Sequence, residues 1–291
     1  MTAGFIDLHC HGGAGVDFGD ADVDGALRAA TMHLQHGTTT LFPTVTSSDF
    51  STLEQAICAV EQAQKTMPVL GGVHLEGPYF SPAQTGAQNG NALRKPQPQE
   101  YMQILKNHNI ARWDYAPEMD KDGAFLQALM AAGTIPAAGH TDATCEQMVQ
   151  ASKQGCRLIT HLYSCTSTIR RENGFRIAGV VEAAYLLDDV CAELIADGCH
   201  LPHSLLQLAY KLKGPERLAL VTDAMRAAGF DVVLRGEDPE KLTAERVAEC
   251  ILSYVQAAKQ ARTAVYPKLE NLETLSNEEF LKVIPNYCSV I

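Results

Sequence analysis

Short apolar runs rich in β-branched and aromatic residues alternate with longer stretches of helical periodicity along most of this chain. Strands are predicted at 5–11 (FIDLHCH), 38–44 (TTTLFPT), 69–77 (VLGGVHLEG) and 110–118 (IARWDYAPE), then at 135–140 (IPAAGH), 158–163 (LITHLY), 191–198 (CAELIADG) and 217–224 (RLALVTDA). Between them, LEQAICAVEQAQK, CEQMVQASKQG and HSLLQLAYKLKG repeat their apolar positions at helical spacing. Gly37, Gly133, Gly155 and Gly214 stand where those helices should end, the position that favours a left-handed cap. Eight β-then-α units predict an α/β fold, a TIM (β/α)8 barrel. A doubly wound parallel sheet shows the same alternation and ranks second. GGAG at 12–15 lacks the G-x-G-x-x-G spacing and reads as a loop.

The alternation runs to about Gly229. Beyond it, Pro239 after Asp238 signals a helix start, and Leu242, Ile251, Leu252, Val255 and Ala258 keep helical spacing. SNEE at 276–279 reads as the capping box of a second short helix. The expected organisation is a barrel over 1–229 and a helical tail over 230–291. The first tail helix can pack after strand eight and complete the barrel.

Composition narrows the function. With 291 residues, 46% hydrophobic and 20% charged, the chain is sized for one barrel and able to bury a full core. Net charge is −11 and basic residues do not cluster, so neither nucleic acid nor an anionic membrane is an expected partner. No apolar run approaches the roughly 18 residues of a membrane span. The nine cysteines are scattered and include no C-x-x-C pair, which fits a reduced, cytoplasmic chain with packed thiols.

Barrel chemistry sits at the C-terminal ends of strands. His9 and His11 close the first predicted strand, Glu76 the third, His140 the fifth, His161 the sixth and Asp223 the eighth; His200 follows the seventh. Residues two apart on a strand share a face, so His9 and His11 can reach one ion. H-x-H alone is a weak signal, and convergence with the other strand-end ligands is what strengthens it. Nitrogen and carboxylate ligands without thiolate suit Zn²⁺, Fe²⁺, Mn²⁺ or Co²⁺. Such a site activates water and polarises a carbonyl. Asp223 is placed to act as general base, or alternatively to cap the following turn. Cys10 alternates away from the two histidines and reads as a packed thiol. His74 shares a face with Glu76 and either supports the site or is merely buried. His33, His36, His108 and His203 read as surface or packing residues. Arg170 and Arg171 suit a phosphate or form a solvated surface pair.

GFIDLHCHG, HLEGPYF, APE, AGHTDAT, THLYS, ADGCH and LVTDAMRAAG stand in an order and spacing that resemble the N-acetylglucosamine-6-phosphate deacetylases of the amidohydrolase superfamily, over about residues 3–229. Strand four lacks the carboxylated lysine common in that superfamily, and the resemblance gives its part to Glu76. It implies a main metal site of Glu76, His140 and His161, with His9 and His11 as ligands of a second metal and Asp223 as catalytic base. It also narrows the expected occupant to Zn or Fe, one or two ions per chain. It further implies that His200 contacts the sugar and steadies the reacting carbonyl, that Gln88 contacts substrate, and that Arg171 binds phosphate, often across a homodimer interface. Ser164-Cys165-Thr166 replace the family's Asn-Ala-Met, so phosphate contacts there would run through the backbone.

The family also flanks its barrel with a β-sandwich that this chain is expected to lack, and 230–291 does not match the segment that encloses the sugar. The leading expectation is metal-dependent hydrolysis of the acetamide of N-acetylglucosamine 6-phosphate, giving acetate and glucosamine 6-phosphate. The alternatives are an amidohydrolase for another N-acyl substrate, and a truncated, impaired deacetylase that only binds metal or sugar phosphate.

Overall fold

The computed structural model describes residues 4–229. The predicted tail, including the helix start at Pro239 and the capping box at 276–279, lies outside them. The described residues up to Arg226 fall in one compact unit, and Ala227 begins a second.

The first unit is the (β/α)8 barrel. Its strands are β1 (Phe5–Cys10), β2 (Thr38–Thr46), β3 (Val73–Glu76) and β4 (Ile110–Tyr115), then β5 (Ile135–Ala138), β6 (Leu158–Ile159), β7 (Cys191–Ile195) and β8 (Leu218–Val221). They lie side by side in chain order, and every neighbouring pair is parallel. Seven helices connect or follow them: α1 (Val23–Gln35), α2 (Phe50–Gln64), α3 (Pro98–Asn107), α4 (Ala124–Ala132), α5 (Cys145–Lys153), α6 (Val180–Leu186) and α7 (His203–Lys213). Among the described residues no helix is long and apolar enough to cross a membrane.

Polar residues perform the closure. The Asp223 N–H donates to His9 O at 2.9 Å and the His11 N–H to Ala224 O at 2.8 Å, which returns the chain after β8 to β1. Buried Asp7 fastens the same seam by accepting from the Thr222 N–H at 3.2 Å and hydroxyl at 2.6 Å. Pro43 stands opposite Cys10 in the β1–β2 register and has no N–H for the ladder. In the same stretch the Thr44 hydroxyl accepts the Cys10 N–H at 2.9 Å.

The helices begin and end as local chemistry dictates. Asp22 caps α1 through the Gly25 N–H and Asp49 caps α2 through the Thr52 N–H. Thr144 and Gln147 form a reciprocal capping box at α5. The four glycines expected at helix ends all take positive φ. Trp113 and Tyr115 of β4, with Tyr79 and Tyr101, surround Phe125 of α4 in a buried aromatic cluster. The Trp113 indole N–H donates to Gly77 O at 2.7 Å, so this core pins the residue that follows Glu76.

Candidate metal centre and active site

The strand ends bring His9, His11, Glu76, His140, His161 and Asp223 together. Glu76 is the centre. Its Oε1 lies 3.0 Å from His161 Nε2, 3.2 Å from His140 Nε2 and 3.5 Å from His9 Nε2, while Oε2 lies 3.3 Å from His11 Nε2. His9 Nε2 and His11 Nε2 are 3.1 Å apart. Asp223 Oδ1 approaches His11 Nε2 at 3.0 Å and His9 Nε2 at 3.4 Å. Two ligand groups result, His9–His11–Glu76 and Glu76–His140–His161, with Glu76 common to both. All these side chains are buried except that of Asp223, which is 19% exposed.

The backbone is bent to achieve this. His140, His161 and Asp223 have φ of 45°, 28° and 48°, a region that costs a non-glycine residue about 1–3 kcal/mol. Each stands two residues past its strand, where the bend turns the side chain over the barrel mouth. Partners on the far ring nitrogens then set the direction of the imidazoles. His140 Nδ1–H donates to Gln84 O at 2.9 Å and His161 Nδ1–H to Ser164 O at 3.1 Å. Both Nε2 atoms are left facing Glu76. His11 Nδ1 is buried and has no hydrogen-bond partner among the described residues.

The electrostatics call for a cation. Burial opposes ionisation of Glu76, yet the charge of His9 and hydrogen bonds from His11, His140 and His161 hold its carboxyl well below the usual carboxylate range. Asp223 is likewise opposed by burial and held down by His9 and His11. Burial works against a charged His140, but contacts with Cys165 and Glu76 push it up to about 10. Carboxylates that stay ionised among imidazoles that attract positive charge form a donor set suited to a divalent N/O-preferring metal. These residues fit the ion.

Around the cluster the sequence-selected residues fare differently. Gln88 is committed to the site's frame, since its amide donates to Glu76 Oε2 at 2.6 Å and accepts from the Ser47 N–H at 3.0 Å. Ser164 acts through its carbonyl on His161. Cys165 turns at φ 48° and accepts the Thr141 N–H on its carbonyl at 3.0 Å. His200 is not brought into the cluster; its Nδ1 pairs with Asp197 at 2.7 Å and its side chain is 47% exposed. Arg171 is exposed on a short antiparallel ribbon, Arg170–Glu172 with Phe175–Ile177, while neighbouring Arg170 pairs with Glu172 at 2.6 Å and approaches Asp142 at 3.6 Å. Cys10 is a packed thiol, 3.1 Å from buried His33 Nε2.

Gly86 is the tight point of this wall. A Cβ there would meet Cys165 Sγ at 2.3 Å and His140 Cε1 at 3.3 Å, at a φ of +56°. Gly86→Ala is therefore expected to push Cys165 and His140 aside and to weaken metal retention about 10–100-fold, as loss of a ligand's support does. Dialysis against a chelator followed by metal analysis reads this out, and unchanged retention would refute it.

Sequence reasoning missed what lies beneath. Arg112 and Asp114 on β4 and Glu193 on β7 are buried inside the barrel. Arg112 clasps Asp114 through Nε at 2.7 Å and Nη2 at 3.0 Å, and Glu193 through Nη1 and, at 3.0 Å, Nη2. Thr160 Oγ1 accepts from Arg112 Nη2 at 2.8 Å and donates to Asp114 at 2.7 Å. His74 is tied in through Thr44 Oγ1 at 2.9 Å and lies 2.9 Å from Asp114 Oδ1 outside good hydrogen-bond alignment. Burial and the Arg112 charge lower His74 to about 4, so it is neutral at pH 7. The available signal was charge of one parity within otherwise apolar strands, in IARWDY and CAELI.

A parallel barrel whose strand ends gather histidines and carboxylates defines a class, and comparison with known proteins names it. The model of the Amidohydrolase family matches residues 1–235, and the chain belongs to that family of enzymes. Within it, the chain is 33% identical over 292 residues to an N-acetylglucosamine-6-phosphate deacetylase of Lysinibacillus sphaericus, covering 95% of this chain and 74% of that protein. The Bacillus subtilis (strain 168) protein of the same name is 33% identical, over 79% of this chain and 59% of its own length. The chain thus spans between about three-fifths and three-quarters of these relatives. An N-acetyl-D-glucosamine-6-phosphate deacetylase structure from Mycobacterium smegmatis superposes with a TM-score of 0.73 at 29% identity, covering 97% of this chain and 73% of that one.

Proposed function

We propose that the chain hydrolyses the acetamide of N-acetylglucosamine 6-phosphate to acetate and glucosamine 6-phosphate. The observation that carries this reading is the cluster in which Glu76 is shared by two histidine pairs, with the half-open Asp223 carboxylate beside it. Glu76, His140 and His161 would hold a principal divalent ion, Zn or Fe. His9 and His11, with Glu76 and Asp223, would hold a second. A bound ion supplies Lewis acidity and a more acidic water. The Asp223 carboxylate takes the proton of the attacking water as the C–O bond forms and passes it to the amine nitrogen as the C–N bond breaks. His200, with Nε2 turned from its Asp197 partner, contacts the sugar and the reacting carbonyl. Ser164 and Cys165 offer backbone groups to the phosphate. Arg171 supplies a guanidinium for it, in a homodimer across the subunit boundary.

A structure of an N-acetyl-D-glucosamine-6-phosphate deacetylase mutant from Mycobacterium smegmatis, 28% identical to this chain with a TM-score of 0.74, is a complex with N-acetyl-D-glucosamine-6-phosphate and supports the substrate class. A second reading has its own observation. A Shewanella relative that is 33% identical over 79% of this chain is named N-acetylgalactosamine-6-phosphate deacetylase. Acetate release from both sugar phosphates and from unphosphorylated N-acetylglucosamine, by the Zn²⁺- or Fe²⁺-loaded chain, separates these readings. Faster turnover of the glucosamine substrate, with about 10²-fold dependence on the 6-phosphate from its charge-assisted contacts, is expected. The reverse preference gives the galactosamine reading. Turnover indifferent to phosphate would point to another N-acyl substrate.

A further inference from the structure

We propose that Glu193, clamped by the buried Arg112 guanidinium, is the positioning residue of the His9–His11 half of the centre: it accepts the Nδ1 proton of His9 and so aims the Nε2 lone pair at a divalent cation. The inference rests on the metal reading of the cluster. His9 is the one ligand whose far nitrogen meets a charged group. Its Nδ1 is 3.4 Å from Glu193 Oε2, whereas His140 and His161 donate to backbone carbonyls.

The origin of that difference is topological. His140 and His161 lie beyond their strands, where loops offer carbonyls. His9 is within β1, and its ring is fully buried in the barrel interior. There the partner of its Nδ1 is a side chain from a facing strand. Glu193, on β7, reaches across to it.

A carboxylate in that place needs a counter-charge of its own, since an isolated buried charge costs several kcal/mol. Arg112 provides it with two nitrogens on the two Glu193 oxygens. The same guanidinium makes a second two-point grip on Asp114, so it cannot rotate without breaking both. Thr160 closes the gap between the carboxylate and guanidinium. On the opposite side the His74 ring packs edge-on against His9 at a centroid distance of 4.7 Å and blocks the alternative tilt of the imidazole. Arg112, Asp114 and His74 therefore act through Glu193 and His9, and none of them reaches the substrate side of the cluster.

The test is titration of the metal-free full-length chain with Co²⁺, followed by its visible absorption, for the wild type, Glu193→Gln, Glu193→Asp and His9→Gln. Glu193→Asp keeps the charge on Arg112 but draws the acceptor back by one methylene, so it serves if Glu193→Gln does not fold. Circular dichroism and a thermal melt check folding. The wild type is expected to take up two ions. In both Glu193 variants the ion on Glu76, His140 and His161 should bind within about twofold of wild type, while the His9–His11 ion weakens about 10–100-fold. In a His9→Gln background, Glu193→Gln should then cost nothing further, because Glu193 acts only through His9. Wild-type affinity for both ions in a folded Glu193 variant overturns the proposal, as does equal weakening at both sites or loss of folding in both variants. A single ion in the wild type overturns it too. A wild type that binds no cation is a different result and removes the metal reading itself.

Discussion

Glu76→Gln is expected to release metal from both halves of the centre and to lower kcat/KM by about 10³-fold or more. The change keeps the shape of the side chain and removes its charge. Glu76 is within 3.5 Å of all four histidine Nε2 atoms and is the one group common to the two ligand sets. Among the described residues no other carboxylate spans both halves: Asp223 approaches only His9 and His11. Lewis-acid assistance supplies several kcal/mol to such a reaction, at about 1.4 kcal/mol per factor of ten. The readout besides turnover is thermal. Saturating metal at about 100 times Kd stabilises a folded chain by about 2.7 kcal/mol, so the wild-type Tm should rise on adding Zn²⁺ and that of the variant should not. A variant that still binds two ions with unchanged midpoint shifts would sink the assignment of Glu76 as the shared ligand.

Residue type combined with fold rule made much of this centre legible. Once eight β-then-α units were counted, strand ends became the only places to look, and His9, His11, Glu76, His140, His161 and Asp223 were picked out by position alone. Strand boundaries were less legible, for a reason tied to the site. Strand five was expected to reach His140 and strand six Tyr163, but they stop at Ala138 and Ile159. His140, His161 and Tyr163 take positive φ with side chains that do not advertise it, so apolar runs continue through residues where extended backbone has ended. Gln88 shows another limit. Its motif points to substrate, but whether its amide is free or already spent on Glu76 and Ser47 depends on contacts 12 and 41 residues away. The Arg112 network is harder still, since β4, β6 and β7 and the residues beside them converge on it only when the barrel closes. A charged residue in an apolar strand announces burial of something polar, not the identity of its partner.

Asp223→Asn should lower kcat by about 10²–10⁴-fold, the range for a general acid–base group, while KM and metal content stay close to wild type. The prediction discriminates because Asn keeps the backbone and capping roles that the residue serves here. Its N–H still donates to His9 O and keeps the chain closed onto β1. Asn tolerates positive φ as well as Asp does, and it caps a turn equally well. Were Asp223 a capping residue only, the variant would therefore melt and turn over like the wild type. What Asn cannot do is accept a proton from water and return it to a departing amine. Glu76, His9, His11, His140 and His161 survive the change and the Asn carbonyl oxygen stands where Asp223 Oδ1 did, so metal analysis after dialysis should find the ions retained. Retained turnover would move the base elsewhere. Loss of the ions along with activity would instead make the Asp223 charge a requirement for metal in the His9–His11 half. Retained metal with lost turnover is the combination that assigns the proton transfer to this carboxylate.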